Sequence, residues 1–97
     1  MPMERQTIPQ PTEHGDDDAG LALRALGWIL SDQQRAHRFL DLTGLSPEGL
    51  RASLAEPETL AAVLDFLAAH ESDLTAAAEA MQVDPAQFPA ARERLAL

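Results

Sequence analysis

Residues 45–50, LSPEGL, and residues 83–88, VDPAQF, are near-copies of one turn, and this pair decides the fold. Each copy runs from an apolar residue through a capping residue, a proline and two spacers to another apolar residue. Proline after a capping Ser or Asp is typical of a helix start. The offset from Leu45 to Val83 also pairs Trp28 with Phe66. The sequence therefore predicts an all-α fold, a small bundle of five or six short helices with two pseudo-repeated halves in orthogonal packing.

The composition favours helices and excludes several chemistries. Ala and Leu together make up about a third of the 97 residues, and both are strong helix formers. The chain has no Cys, and all seven of its basic residues are Arg. Disulfides, thiolate chemistry, Cys-ligated metal sites and lysine Schiff bases are therefore excluded. A chain of this length forms one domain at most.

Two regions with different compositions predict the domain organisation. Residues 1–18 carry three prolines and mostly polar side chains, so we expect a disordered acidic N-terminal tail. Residues 19–97 are expected to form a single helical domain. The first residues have no apolar signal core, and no apolar run is long enough to span a bilayer. We therefore expect a cytoplasmic protein without a membrane partner.

Capping signals and prolines predict where the helices begin and end. The last helix should begin at Pro85 or Pro89, and helix 5 is either continuous with helix 4 or capped by Glu71 or Ser72. Helix 1 is expected from about Asp17 to Leu30, and helix 4 from Pro57 to about Ala69. Helix 2 is expected from an N-cap at Ser31 to about Thr43, just before Gly44. Helix 3 is expected to begin at an N-cap at Ser46.

Apolar residues at helical spacing predict the hydrophobic core. Helix 4 has the clearest pattern, with apolar residues at i, i+3, i+4 and i+7 from Leu60. The expected core comprises Leu26, Ile29, Leu30, Phe39, Leu40, Leu42, Leu45, Leu50, Leu60, Val63, Leu64, Leu67, Leu74, Met81, Val83 and Phe88.

Helix 1 is apolar nearly all round, which leaves two interpretations open. It is either a central helix buried by the others, or its Trp28 side is an exposed patch for a protein partner or a second copy. For the second interpretation the candidate partner-binding residues are Leu21, Arg24, Trp28 and Phe66 on helices 1 and 4. The first functional hypothesis is therefore a non-enzymatic protein-interaction module.

Residues 39–54 predict a helix-turn-helix corner, and DNA binding is the alternative function. Gly44 suits the turn, and Ser46 caps the short helix that would read DNA. That helix offers only Arg51 as a cation, and the chain carries a net charge of −9 with a pI near 4.5. An acidic field repels nucleic acid, so a nucleic-acid partner is the less favoured expectation.

The sequence contains no recognisable catalytic, cofactor or metal constellation. His37 with Asp41 and His70 with Asp73 have helical spacing, but neither pair forms a His-Glu-x-x-His zinc motif. Ser72 resembles the attachment serine of an acyl carrier only loosely, since Asp73 follows it where an apolar residue belongs. We therefore expect no enzymatic activity and no cofactor.

Three blocks, at residues 21–30, 38–45 and 62–67, resemble a family of short bacterial proteins catalogued as a domain of unknown function. Their order along the chain carries the resemblance, which covers roughly residues 20–95. The resemblance implies a small helical fold. It supplies no activity, cofactor or catalytic residue.

Overall fold

The computed structural model describes residues 14–96 and confirms an all-α fold. No strand occurs among these residues, and none of their helices is long and apolar enough to cross a membrane. Residues 14–18, expected in the tail, are helical, and residues 1–13 lie outside the described part. The six helices are α1 (His14–Leu30), α2 (Gln33–Thr43), α3 (Pro47–Ala52), α4 (Pro57–Ala68), α5 (Glu71–Met81) and α6 (Gln87–Ala96).

The corner between α1 and α2 differs from the prediction by one residue. Asp32 is the N-cap of α2, and its carboxylate accepts a 2.9 Å hydrogen bond from the backbone N–H of Arg35. Ser31, the expected cap, donates its hydroxyl to the carbonyl of Trp28 at 2.7 Å. Ser31 thus satisfies a free carbonyl at the end of α1, which leaves capping to the stronger acceptor, Asp32.

The turn after α2 follows the prediction closely. Gly44 lies in the left-handed region at φ 75°, and its N–H donates to the Leu40 carbonyl. Ser46 caps α3 by accepting from the Gly49 N–H at 2.9 Å, and Pro47 is the first helical residue. Both features satisfy backbone groups that the helix ends would otherwise leave unpaired.

The later boundaries decide one open alternative and correct two expectations. Helices α4 and α5 are separate, and His70 precedes α5 without a side-chain cap, so Glu71 and Ser72 lie inside the helix. Helix α6 begins at Gln87, between the two expected prolines. The Asp84 carboxylate accepts from the Ala86 N–H, which organises the turn before α6. Pro89 is tolerated in the first turn of α6 because no intrahelical donor is needed there.

Helix α4 lies at the centre and packs against α6, α1, α5 and α2. The largest fully buried side chains come from four helices: Ile29, Phe39, Val63, Leu64, Leu67 and Phe88. Two expected core residues, Leu30 and Leu42, are 42% and 66% exposed. Phe39 is the only buried residue of α2, and Leu42, one turn later, lines an open groove beside α4 that no neighbouring helix covers. Residues missing from the prediction are Leu21, Ala22, Ala25, Phe66, Ala77, Ala78 and Ala91.

The offset that relates Leu45 to Val83 recurs in the structure at the level of boundaries and burial. When this offset is added to the first and last residue numbers of α2, the result is the first and last residue of α5. Added to the last residue number of α1, it gives the last residue of α4. The five buried positions on α1 from Leu21 to Ile29 have buried equivalents on α4 from Thr59 to Leu67. The equivalent pairs are Leu21 and Thr59, Ala22 and Leu60, Ala25 and Val63, Leu26 and Leu64, and Ile29 and Leu67.

Candidate functional site

Trp28 is half-buried near the end of α1, and its ring is covered by an arginine from the next helix. The ring packs against the core, and the Arg35 guanidinium carbon lies 3.6 Å from the ring centroid. The same guanidinium donates to the Trp28 carbonyl at 2.7 Å and to the Ser31 hydroxyl at 3.1 Å. Stacking over an indole is a favourable position for a guanidinium, and the hydrogen bonds hold Arg35 in that position.

Arg24 lies on the same side of α1, four residues before Trp28. It is exposed, and its guanidinium donates to the Met81 carbonyl at 3.2 Å. Met81 is the last residue of α5, where unpaired carbonyls and the negative end of the helix dipole favour a cation. Arg24 therefore joins the side of α1 to the end of α5.

The other two predicted partner-binding residues belong to the core. Leu21 is 8% exposed and Phe66 is 5% exposed. The Phe66 ring packs edge-to-face on Phe39, with centroids 5.4 Å apart, and the Arg38 guanidinium lies over it. Because α4 is surrounded by neighbouring helices, the side that carries Phe66 is covered. Of the four residues expected at a partner-binding surface on helices 1 and 4, Arg24 and Trp28 are at least partly exposed. Leu21 and Phe66 are buried and cannot form part of such a surface.

Five of the six arginines in residues 14–96 have one of two kinds of partner. Arg38, Arg92 and Arg94 pair with Asp73, Asp65 and Asp18, and the hydrogen bond that Arg92 donates to Asp65, with the charge on that carboxylate, raises the pKa of Arg92. Arg24 and Arg35 instead bind carbonyl or hydroxyl oxygens, and neither pairs with a carboxylate in this part of the chain. We call the area formed by Arg24, Trp28 and Arg35 the tryptophan surface.

Sequence reasoning missed Arg35, although it identified Trp28. The usable signal is the two-residue connection between α1 and α2, which makes the first turn of α2 fold back towards the end of α1. An arginine in that turn can reach the preceding helix. Which ring it would cover depends on the angle between the helices, and that angle is set by packing.

A shallow apolar groove lies between the α2–α3 turn and α4. It has a volume of about 430 Å³, and Leu42, Leu45, Ala62 and Phe66 are among its lining residues. The hydroxyl of Thr43 at its edge donates to the Phe39 carbonyl. The groove can accommodate an apolar group but brings together no acid–base pair.

His37 and His70 are exposed and are not assembled into a site. His37 lies on α2 and His70 precedes α5. Within residues 14–96, no group of three or more His, Cys, Asp or Glu side chains could hold a metal ion. The helix-turn-helix corner forms, but α3 has only six residues, with Arg51 in its last turn.

Comparison with known proteins identifies the family. No curated protein and no solved structure matches the chain. A family model described as "Protein of unknown function (DUF3572)" matches residues 16–96, which cover all but the first two residues of the six-helix fold. This match extends over most of the sequence. The chain therefore belongs to the DUF3572 family.

Proposed function

We propose that the chain is a non-enzymatic protein-interaction module that docks a protein partner through the tryptophan surface. One observation carries the proposal. The half-buried Trp28 ring lies under Arg35 at 3.6 Å, and neither Arg35 nor Arg24 beside it pairs with a carboxylate in the described chain. The proposed interface therefore lies on α1 and the first turn of α2, and Phe66 on α4 is left out of it because that side chain is buried.

The residue types at this surface favour binding. Trp and Arg are enriched among the few interface residues that supply most of the binding free energy. Trp28 is already packed against the core, and both arginines are already hydrogen-bonded. Immobilising such side chains on binding loses less conformational entropy than immobilising free ones.

The charges at the tryptophan surface indicate the chemistry of the partner. Two guanidinium groups beside an aromatic ring suit a protein segment that presents a carboxylate next to an apolar side chain. The whole chain is acidic, with a net charge of −9, which opposes the approach of an acidic partner. At physiological ionic strength this repulsion is screened beyond about 8 Å, so contacts at the surface decide binding.

Affinity capture from the native host tests the proposal, using the full chain at near-physiological salt. We expect a stoichiometric protein to be retained by the wild type and lost with Trp28→Asp and Arg24→Glu. Arg51→Glu is the matched control for Arg24→Glu, because Arg51 is also exposed but lies on α3. Circular dichroism checks that each variant is folded.

A direct titration completes the test. Trp28 is the only tryptophan, so its fluorescence reports on the proposed interface without a label. The purified partner should change Trp28 emission with a saturable dependence on concentration. A folded Arg24→Glu variant that binds as tightly as Arg51→Glu would show that the tryptophan surface is not the interface.

The observed helix-turn-helix corner favours a second candidate function, DNA binding through residues 39–54. Its basis is weaker, because α3 is less than two turns long and Arg51 is its only cation. Fluorescence anisotropy with duplex DNA at low ionic strength tests it. Salt-sensitive binding that Arg51→Glu abolishes would support this candidate, and the absence of binding would eliminate it.

A further inference from the structure

The outer face of α1 is apolar although it points away from the core. Leu23 and Leu30 are each 42% exposed, and a Cβ atom added at Gly20 or Gly27 would meet nothing within 4 Å. These four residues follow a 3-4-3 spacing, which places them along one side of a helix. Ala25, midway between them in sequence, is fully buried on the opposite side.

The order of these residues makes the face complementary to itself. Leu23 and Gly27 are equidistant in sequence from residue 25, and so are Leu30 and Gly20. If two copies of α1 pack antiparallel about a two-fold axis level with residue 25, each leucine meets a glycine of the other copy. A protruding side chain then lies over an open position at all four contacts, as close helix packing requires.

The helix dipoles support the same arrangement. In an antiparallel pair centred on residue 25, the positive end of each α1 lies beside the negative end of the other, so the opposed dipoles attract.

We infer that this face of α1 is a homodimer interface with a second copy of the chain, packed antiparallel. The inference does not depend on the tryptophan surface, because Leu23, Gly27 and Leu30 lie on a different side of α1. A single helix pair buries less than the roughly 800 Å² per partner of a standard interface. We therefore expect a weak, reversible dimer with a dissociation constant in the micromolar to millimolar range.

Sedimentation equilibrium of the full chain over a range of concentrations tests the dimer. The average mass should rise from 10.5 kDa towards twice that value as concentration increases. Leu23→Glu and Gly27→Glu should keep the monomer mass throughout. Leu42→Glu is the matched control, since Leu42 is a more exposed leucine on α2, and this variant should dimerise like the wild type.

Two results would overturn the inference. One is a wild-type chain that remains monomeric at the highest attainable concentration. The other is a folded Leu23→Glu variant that associates like Leu42→Glu. Gly27→Glu guards against misfolding as an explanation, because position 27 is open and glutamate favours the helix more than glycine does.

Disulfide cross-linking tests the antiparallel register independently. The natural chain has no cysteine, so single cysteines report only the designed contacts. A mixture of the Leu23→Cys and Gly27→Cys variants should cross-link faster than either variant alone. Faster linkage of Leu23→Cys to itself would indicate parallel packing or an antiparallel pair centred elsewhere, and either would contradict the proposed arrangement.

Discussion

Asp18 is a buried carboxylate whose role is visible at the scale of one residue. Its side chain is 5% exposed, and both of its oxygens accept hydrogen bonds from Arg94, at 2.8 and 2.9 Å. Asp65 and Arg92 form a similar two-point pair, but both of those side chains are about half exposed. The two pairs therefore compare a buried carboxylate with an exposed one, each bound by an arginine that is about half exposed.

We predict that Asp18→Ala destabilises the fold by about 2 kcal/mol, because it removes two charge-assisted hydrogen bonds from a buried position. Asp65→Ala is the matched control and should have a clearly smaller effect, since water replaces an exposed partner. Urea denaturation followed by circular dichroism measures both. If both variants lose the same free energy of unfolding, burial of the carboxylate does not strengthen its pair with arginine.

Several residue positions could be predicted from sequence, and the failures have a common cause. Ser46 and Gly44 were predictable because helix ends make local demands on the side chain and the backbone. Leu42 and Phe66 were misassigned because helical spacing shows that a residue is apolar but not whether a neighbour covers it. The buried alanines were missed for the converse reason, since close helix contacts select small residues that no hydrophobicity pattern emphasises.

At the scale of the element, two helices end in the same backbone conformation with different residues. Helix α2 is followed by Gly44 at φ 75°, and α5 is followed by Gln82 at φ 59°. These two positions are equivalent under the offset that relates Leu45 to Val83. The left-handed conformation is strained for residues with a Cβ atom and free of that strain for glycine.

We predict opposite effects from exchanging residue types at these two ends. Gly44→Ala should lower stability by about 1 kcal/mol, and the effect is purely conformational because an added Cβ meets nothing within 4 Å. Gln82→Gly should raise the melting temperature by relieving the strain at the end of α5. Thermal unfolding monitored by circular dichroism tests both variants, and a melting temperature lowered by Gln82→Gly would refute the argument.

Helix existence was more predictable than helix boundaries. All six helices follow from apolar spacing and capping residues. The start of α6 was missed because the Asp84 turn satisfies the donors before Gln87, so neither proline marks the first residue. The break between α4 and α5 was left open because the residues there, Ala69 and His70, give no strong stop signal.

At the scale of the whole molecule, the fold was predictable and the surface was not. The two related turns indicated five or six short helices, and burial at equivalent positions of α1 and α4 matches the repeat. The tryptophan surface instead depends on Arg35 from α2 and on the end of α5. Which side of α1 remains uncovered is decided by how five other helices pack, and no local pattern contains that information.

The whole fold should also depend on its last helix. Phe88 and Ala91 of α6 are fully buried, and α6 packs closely against α4 and α1. We predict that a chain ending at residue 86 shows no cooperative thermal transition by circular dichroism. A chain lacking residues 1–13, which precede α1, is the control and should unfold cooperatively. A cooperative transition in the shorter chain ending at residue 86 would contradict this dependence.

The pair between Asp18 and Arg94 has a consequence for biosynthesis. The two residues are separated by 76 positions, so the ribosome makes the carboxylate long before its partner. Until α6 has been synthesised, Asp18 has no arginine partner from that helix, so burying this carboxylate together with the apolar side of α1 carries an uncompensated cost. We therefore expect the six helices to pack together only after α6 has left the ribosome, and a chain arrested before that point to be more accessible to proteases.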